Sequence, residues 1–324
     1  MTKYAVWLSG LVAFDTAAEI LDTLGQIPMS ESSVWRRAKT WGERGQAVEA
    51  AQRATANALP SRQESVPGEV HQPTAMGVAI DGAKVHIRPE GWKELKVGDI
   101  FQIAVGPTLD KETGDDIDLA HATHNSYVAH WGGPEIFGQR VWAEARRRQW
   151  TQARDTIALG DDAQWIWNLV KDHFYDSRQG VEWYHATGHW MDAAQALQGD
   201  GTPAAHQWFK DYETPLFEGH AARLAALLRD LADHHPPAAE ALQAEAHYFE
   251  ENQRHMQYQE LREDGFPLGS GMVESGCKQF RARFTGPGMR WSRPGIERLL
   301  PVRAAIMSRA FDPWWKAASN SPLN

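Results

Sequence analysis

Glu274 and Lys278 stand four residues apart in Gly269-Ser270-Gly271-Met272-Val273-Glu274-Ser275-Gly276-Cys277-Lys278, a stretch whose serine can cap a helix start. On a helix the two side chains share a face, which sets one acid beside one base. From Ser275 to Arg309 the cations Lys278, Arg281, Arg283, Arg290, Arg293, Arg298, Arg303 and Arg309 meet one acid, Glu297, in a chain of net charge -9. An acid bordering a basic strip suits a carboxylate that holds a metal next to a phosphate backbone. The plainer reading is a solvated surface pair. Acids also end two apolar runs: Asp81 follows Met76-Gly77-Val78-Ala79-Ile80, and Asp161-Asp162 follow Thr156-Ile157-Ala158-Leu159-Gly160. Strand ends of open α/β sheets face ligand crevices. Asp81-Gly82 is equally the favoured dipeptide of a hairpin turn, and Asp161 or Asp162 can cap the helix that follows. Neighbours on a strand point to opposite faces, so one of that pair is expected in a site and the other at the cap. Histidines offer a competing chemistry, because His121 with His124 and His185 with His189 have spacings able to hold zinc. No His-Glu-x-x-His occurs and no cysteine accompanies them, so satisfied histidines are expected. His185 stands out by its place at the end of the run Val181 to Ala186.

A sheet with a helical cover is the predicted scaffold. Met76–Gly82 and Ala83–Ile87 suggest two strands, Ile100–Val105 a third, and Thr156–Leu159 and Val181–His185 two more. Phe137–Gln149 and Ala163–Val170 follow helical periods. Ahead of the sheet, Ala17, Ala18, Ile20, Leu21 and Leu24 give a short helix. Gly25 to Pro28 break it, and Ser30 caps a second helix showing Arg36, Arg37, Lys39 and Arg44. Helix, turn, helix is the shape of a DNA-reading module, although two helices that simply pack look the same in sequence. Gln52 to Pro73 is polar and punctuated by Pro and Gly, as in a linker. Asp161 and Glu274 lie 113 residues apart, more than a sheet connection needs, and the intervening leucine and alanine periods break at Pro236-Pro237. An all-helical insertion is expected there. The predicted boundaries are 1–50 for the helix-turn-helix segment, 51–75 for the linker, 76–190 and 266–324 for the two parts of the sheet domain, and 191–265 for the insertion.

Composition is that of a globular chain: 324 residues, 42% apolar, 23% charged, with 15 Trp that require burial or a flat ligand. Cys277 stands alone, which excludes an intrachain disulfide and a four-cysteine zinc site and fits a reducing cytoplasm. Lys3 and the run Tyr4 to Phe14 imitate a signal peptide, but acids and alanines at helical spacing follow directly, and export is not expected. Leu119 to Pro134, the longest run free of Asp, Glu, Lys and Arg, is too polar to span a bilayer. An acidic total argues against indiscriminate nucleic-acid binding while leaving room for a local basic patch.

Taken together these stretches resemble the ISKra-type insertion-sequence transposases, members of the DDE group with an RNase H-like catalytic fold. The resemblance rests on Asp81-Gly82 with Glu90 to Gly98, on Ser126 to Glu135, and on Gly160-Asp161 with Ala163 to Asn168. Trp183-Tyr184-His185-Ala186, Gly269 to Ser275 with Lys278, and Gly288 to Ser292 complete it. It implies an α/β fold: an RNase H-like mixed sheet flanked by helices, with the helical insertion before the last acid and the helix-turn-helix in front. It further implies that Asp81, Asp161 and Glu274 bind two Mg²⁺ (or Mn²⁺) ions and catalyse cleavage and joining of DNA ends. Lys278, Arg281, Arg283, Arg290, Arg36 and Arg37 are the expected DNA contacts, with His185 and Asp162 as accessories. The implied partners are the element's terminal inverted repeats and target DNA, with copies of the chain assembling on paired ends. Three departures stand out. Asp162 occupies a position where the family has Gly, Glu182 one where it tends to have Asp, and the family carries more chain in front, often with cysteines. Those departures keep alive a truncated or domesticated DNA-binding descendant, and a nuclease on the same fold is a further alternative.

Overall fold

The computed structural model describes residues 1–58, 75–109, 114–286 and 289–321. Three helices come first: α1 (Thr2–Leu11), α2 (Phe14–Thr23) and α3 (Glu31–Ala58). Then follow β1 (Ala75–Arg88), β2 (Gly91–Leu109), β3 (Asp116–His130), α4 (Pro134–Arg147), β4 (Asp155–Gly160), α5 (Gln164–His173) and β5 (Arg178–Val181). Next are α6 (Trp183–Gln198), α7 (Pro203–Phe217), α8 (Ala221–His234), α9 (Ala239–Asn252) and α10 (Tyr258–Glu263). The chain closes with α11 (Gly271–Phe284), β6 (Trp291–Ser292), α12 (Arg293–Met307) and α13 (Phe311–Asn320). The fold is α/β, a mixed sheet of six strands in the order β3-β2-β1-β4-β5 with β6 on β1, flanked by helices. Such a sheet is compatible with the RNase H-like expectation. No helix of the described residues is long and apolar enough to cross a membrane. The chain divides into two compact units, one of Met1–Gln102, Thr123–Arg154 and Gly271–Asn324, the other of Ile103–Ala122 and Asp155–Ser270.

In the first unit, β1 is one strand where the sequence suggested two. Residues Met76 to Ile80 are buried on both faces, and from Ala83 the pattern changes to alternation, with Ala83, Val85 and Ile87 inward. Asp81-Gly82 is therefore mid-strand, with Asp81 opposite Val97 of the antiparallel β2. The hairpin turn falls instead at Pro89-Glu90, where proline offers no ladder N–H and Gly91 takes φ +78°. α3 runs on through Ala58, past the predicted start of the linker at 51, and the rest of that linker (59–74) lies outside the described residues. The apolar opening of the chain is a helix. α1 packs with α2 and α3 through Ala5, Leu8, Ala17, Leu21 and Val34.

The second unit is built on the helices α6 to α9 around Trp190, Phe249, Leu224, Leu228 and Leu242, all essentially inaccessible to solvent. Trp190 stacks on Trp208 at 4.7 Å between centroids. Burial of each such side chain contributes about 1.5–3 kcal/mol. β4 and β5 pair in parallel here. The strand predicted to end at His185 stops at Val181, and the expected 190/191 boundary falls inside α6. Trp183, Ala186, Trp190 and Ala193–Ala194 recur with the helical period and bury one stripe, which outweighs the short alternation visible in Trp-Tyr-His-Ala.

Candidate active site

Asp81 and Glu274 are far apart in sequence, and in the first unit each lies near Cys277. α11 packs on β1 through Val273, Gly276, Cys277, Phe280 and Phe284, a stripe at helical spacing. The buried Cys277 thiol donates a hydrogen bond to the Asp81 carboxylate. Burial, then the charge and hydrogen bond of Asp81, then the charge of Glu274, hold the thiol well above its ordinary pKa. It stays neutral and marks both acids as its neighbours. Asp81 Oδ1 also accepts from the Gly82 amide at 2.6 Å. Glu274 is exposed and pairs with Lys278 Nζ at 2.7 Å, the i, i+4 pair that the sequence allowed as its plain reading. The N-terminal half of α11 is braced from β3: the Tyr127 hydroxyl donates to Met272 O at 3.1 Å, and Gly276 leaves room for the Tyr127 ring.

Asp161 belongs to the second unit, just after β4, where its Oδ1 accepts from the Ala163 amide at 2.9 Å. Asp162 Oδ1 instead meets His185 Nε2 at 3.2 Å. Of the two acids it is thus Asp161 that makes the cap-like bond ahead of α5, and Asp162 that faces a histidine. His185 lies in the first turn of α6 rather than at a strand end, and His189 lies one turn on, with the two rings 4.9 Å apart. His189 Nδ1 meets Glu245 Oε2 at 2.7 Å, and its ring stacks on Tyr248 at 3.6 Å. Burial lowers the His189 pKa, but the hydrogen bond and charge of Glu245, with Asp162 and Asp192, raise it on balance. Glu182, at the cap position of α6, accepts from the Ser270 amide at 3.2 Å.

No protein-family model matches this sequence. A search of curated proteins returns no match either.

The basic strip changes meaning once placed. Arg283, an expected DNA contact, is 2% exposed. Its Nε donates to Ser9 O at 2.9 Å, and the guanidinium lies over the rings of Phe14 and Trp291 at 5.4 and 5.2 Å. Arg303, equally buried in character, donates to Gly10 O at 3.2 Å and Gln279 O at 2.9 Å. Both arginines satisfy carbonyls in the last turn of α1, which otherwise lack partners. Arg283 is therefore corrected from a phosphate contact to a core residue, and the helical spacing Gly276, Phe280, Arg283 carries that information in the sequence. Arg293 and Arg298 pair with Glu90 and Glu43. Arg281 and Arg290 are exposed and make no ion pair among the described residues. Arg290 lines a cleft of about 220 Å³ with Lys39, Trp35 and Trp291. On α3, Arg36 is exposed and Arg37 half-buried, each bonded to carbonyls one turn back. Arg44, by contrast, donates to Ala318 O of α13 at 3.2 Å.

Proposed function

We propose that the chain is a metal-dependent DNA strand-transferase of the DDE type, with Asp81, Asp161 and Glu274 as its carboxylates. The observation that carries this reading is the packing of α11 on β1, which brings Asp81, in the middle of β1, and Glu274, on α11, each near the same buried thiol. Carboxylate oxygens drawn from distant stretches suit a hard divalent cation, and the donor set here fits Mg²⁺ or Mn²⁺. When bound, a pair of such ions supplies an activated water or DNA 3′-hydroxyl and neutralises charge on the leaving oxygen. The protein's own part is to orient the acids: the Gly82 amide and Cys277 thiol fix Asp81, and Ala163 N–H fixes Asp161. Lys278 holds Glu274 in place and carries a charge that could meet a phosphate if Glu274 served as a metal ligand. Arg281 offers a further phosphate contact, as do Arg290 and Lys39, which have Trp35 and Trp291 beside them for a base or sugar. The helix-turn-helix of α2 and α3 and the helical insertion of α7 to α10 belong to this reading, as does assembly of copies on paired ends.

The Lys278–Glu274 pair favours a second reading, a DNA-binding descendant in which the acid serves only as the partner of a lysine. One experiment separates the two. The full chain is incubated with supercoiled plasmid carrying the DNA that flanks its gene, with Mg²⁺ or Mn²⁺, and nicked and joined products are scored. The enzyme reading expects joined products and at least about 100-fold loss in Asp81→Asn, Asp161→Asn and Glu274→Gln. DNA binding with no cleavage in either metal overturns it for the binder, and cleavage without joining makes the protein a nuclease.

A further inference from the structure

Asp162, His185 and His189 each place one ligand atom within 4.8 Å of the other two, all inside the second unit. We propose that these three side chains form a site for a borderline transition ion of the Zn²⁺ class, sharing no ligand with the carboxylates proposed for catalysis. His185 and His189 are i, i+4 neighbours on α6, so their rings project from one face, and Asp162 approaches from the turn after β4. Glu245 supplies what metal-binding imidazoles regularly have. A carboxylate accepts only, so its contact with His189 Nδ1 puts the proton on that nitrogen and turns the Nε2 lone pair outward as the ligand. Tyr248, stacked on the His189 ring, fixes its plane. Donors on one tetrahedral zinc sit roughly 3.3 Å apart. His185 and Asp162 have side chains 36% and 45% exposed, so they are free to make the small rotation that closes the set. Two imidazoles and one carboxylate select Zn²⁺ over Mg²⁺ and leave a fourth position for water. The bound ion ties the end of β4 to α6 and, through Glu245, to α9.

The inference does not rest on the transposase reading, and its test needs no DNA. The full chain is stripped with chelator, desalted and titrated with Zn²⁺ against a chromophoric competitor in a millimolar Mg²⁺ background. One equivalent of Zn²⁺ is expected, undisturbed by that Mg²⁺. His185→Asn and Asp162→Asn should weaken binding at least tenfold, and Glu245→Gln should weaken it about 10–100-fold by loosening His189. His185 and Asp162 are exposed enough that their variants should keep the far-UV circular dichroism of the parent, so the test does not hang on the half-buried His189. Absence of zinc uptake by the parent overturns the proposal, as does parental affinity in both His185→Asn and Asp162→Asn. Loss of binding in Glu245→Gln with none in His185→Asn also overturns it, because the ion then sits among His189, Asp192 and Glu245.

Discussion

Arg281 and Arg283 are two residues apart on α11 and do opposite things. Arg281 points to solvent, whereas Arg283 is enclosed by aromatic rings, and burial together with Arg303 pushes its pKa down to about 10. The guanidinium remains charged at neutral pH but has given up its water for carbonyl oxygens and ring faces. Arg281→Ala should leave stability unchanged and reduce the slope of log K against log salt for duplex binding by about 0.9, the share of one phosphate. Arg283→Ala should leave that slope alone and cost about 2–4 kcal/mol in urea unfolding, through lost packing and an orphaned Ser9 carbonyl. Matching slope losses in the two variants would show that both reach phosphate. The lesson for residue-level reading is that a count of cations says nothing about direction. Of the residues counted from Ser275 to Arg309, Arg283 and Arg303 hold α1, Arg293 and Arg298 answer acids, and Lys278 answers Glu274.

At the scale of elements, the proposed chemistry depends on how closely α11 lies on the sheet. A methyl group at Gly276 would stand 2.5 Å from Cε1 of Tyr127. That ring is tethered at its other end by the bond from its hydroxyl to Met272 O. Gly276→Ala should therefore cost about 1–3 kcal/mol in thermal or urea unfolding and impair metal-dependent cleavage by moving Glu274. Gly271→Ala, where a methyl group meets nothing within 4 Å, is the control and should be silent. Equal stability of the two variants would mean that α11 shifts freely on β3. The same device recurs in α3, where Gly42 lies against the Arg298 carbonyl of α12 and a methyl group would stand 2.1 Å from it. Glycine within a helix lowers its intrinsic stability, and here the close approach accounts for it. Much of this architecture was legible: the apolar runs at 76–80 and 156–160 are strands, the period at 137–149 is a helix, and Pro236-Pro237 separates α8 from α9. Asp81-Gly82 misled because the dipeptide has turn chemistry, while the apolar residues on both sides keep the strand going through it. Trp183 to Ala186 misled because four residues cannot distinguish a period of 2 from one of 3.6. The thiol contact between Cys277 and Asp81, and the meeting of Asp162 with His185, join separate segments that local pattern cannot bring together.

For the molecule as a whole, a net charge of -9 disfavours loose adhesion to DNA, so any binding surface has to be local, and the acidic excess also shapes stability against pH. Two acids of the first unit contribute to that dependence: Glu49 of α3, whose carboxyl is pushed by burial up to about 7, and Asp99, whose window reaches higher. Asp99 on β2 is fully buried; its Oδ1 accepts from the Ser126 amide at 3.0 Å, and Oδ2 has no partner among the described residues. Burial, against the weaker pull of the Ser126 amide and Arg148, pushes its pKa up to about 8 from the ordinary 3.8. Between those values the unfolded chain has released the proton while the folded chain keeps it, so stability falls as pH rises, by up to about 1.4 kcal/mol per unit, and levels off above the folded value. His130 acts in the opposite sense: burial, then Arg140 and Lys96, lower its pKa to about 4 from 6.5, so its contribution is lost as pH falls through that window and is complete above it. Above pH 6.5, then, the slope due to Asp99 stands without the opposing effect of His130. Asp99→Asn preserves the shape and removes the titration. From pH 6.5 to 8 the parent should lose about 1–2 kcal/mol relative to Asp99→Asn in urea unfolding. Parallel curves for the two proteins across that interval would show that Asp99 is already ionised in the folded chain and that its burial is relieved by a partner.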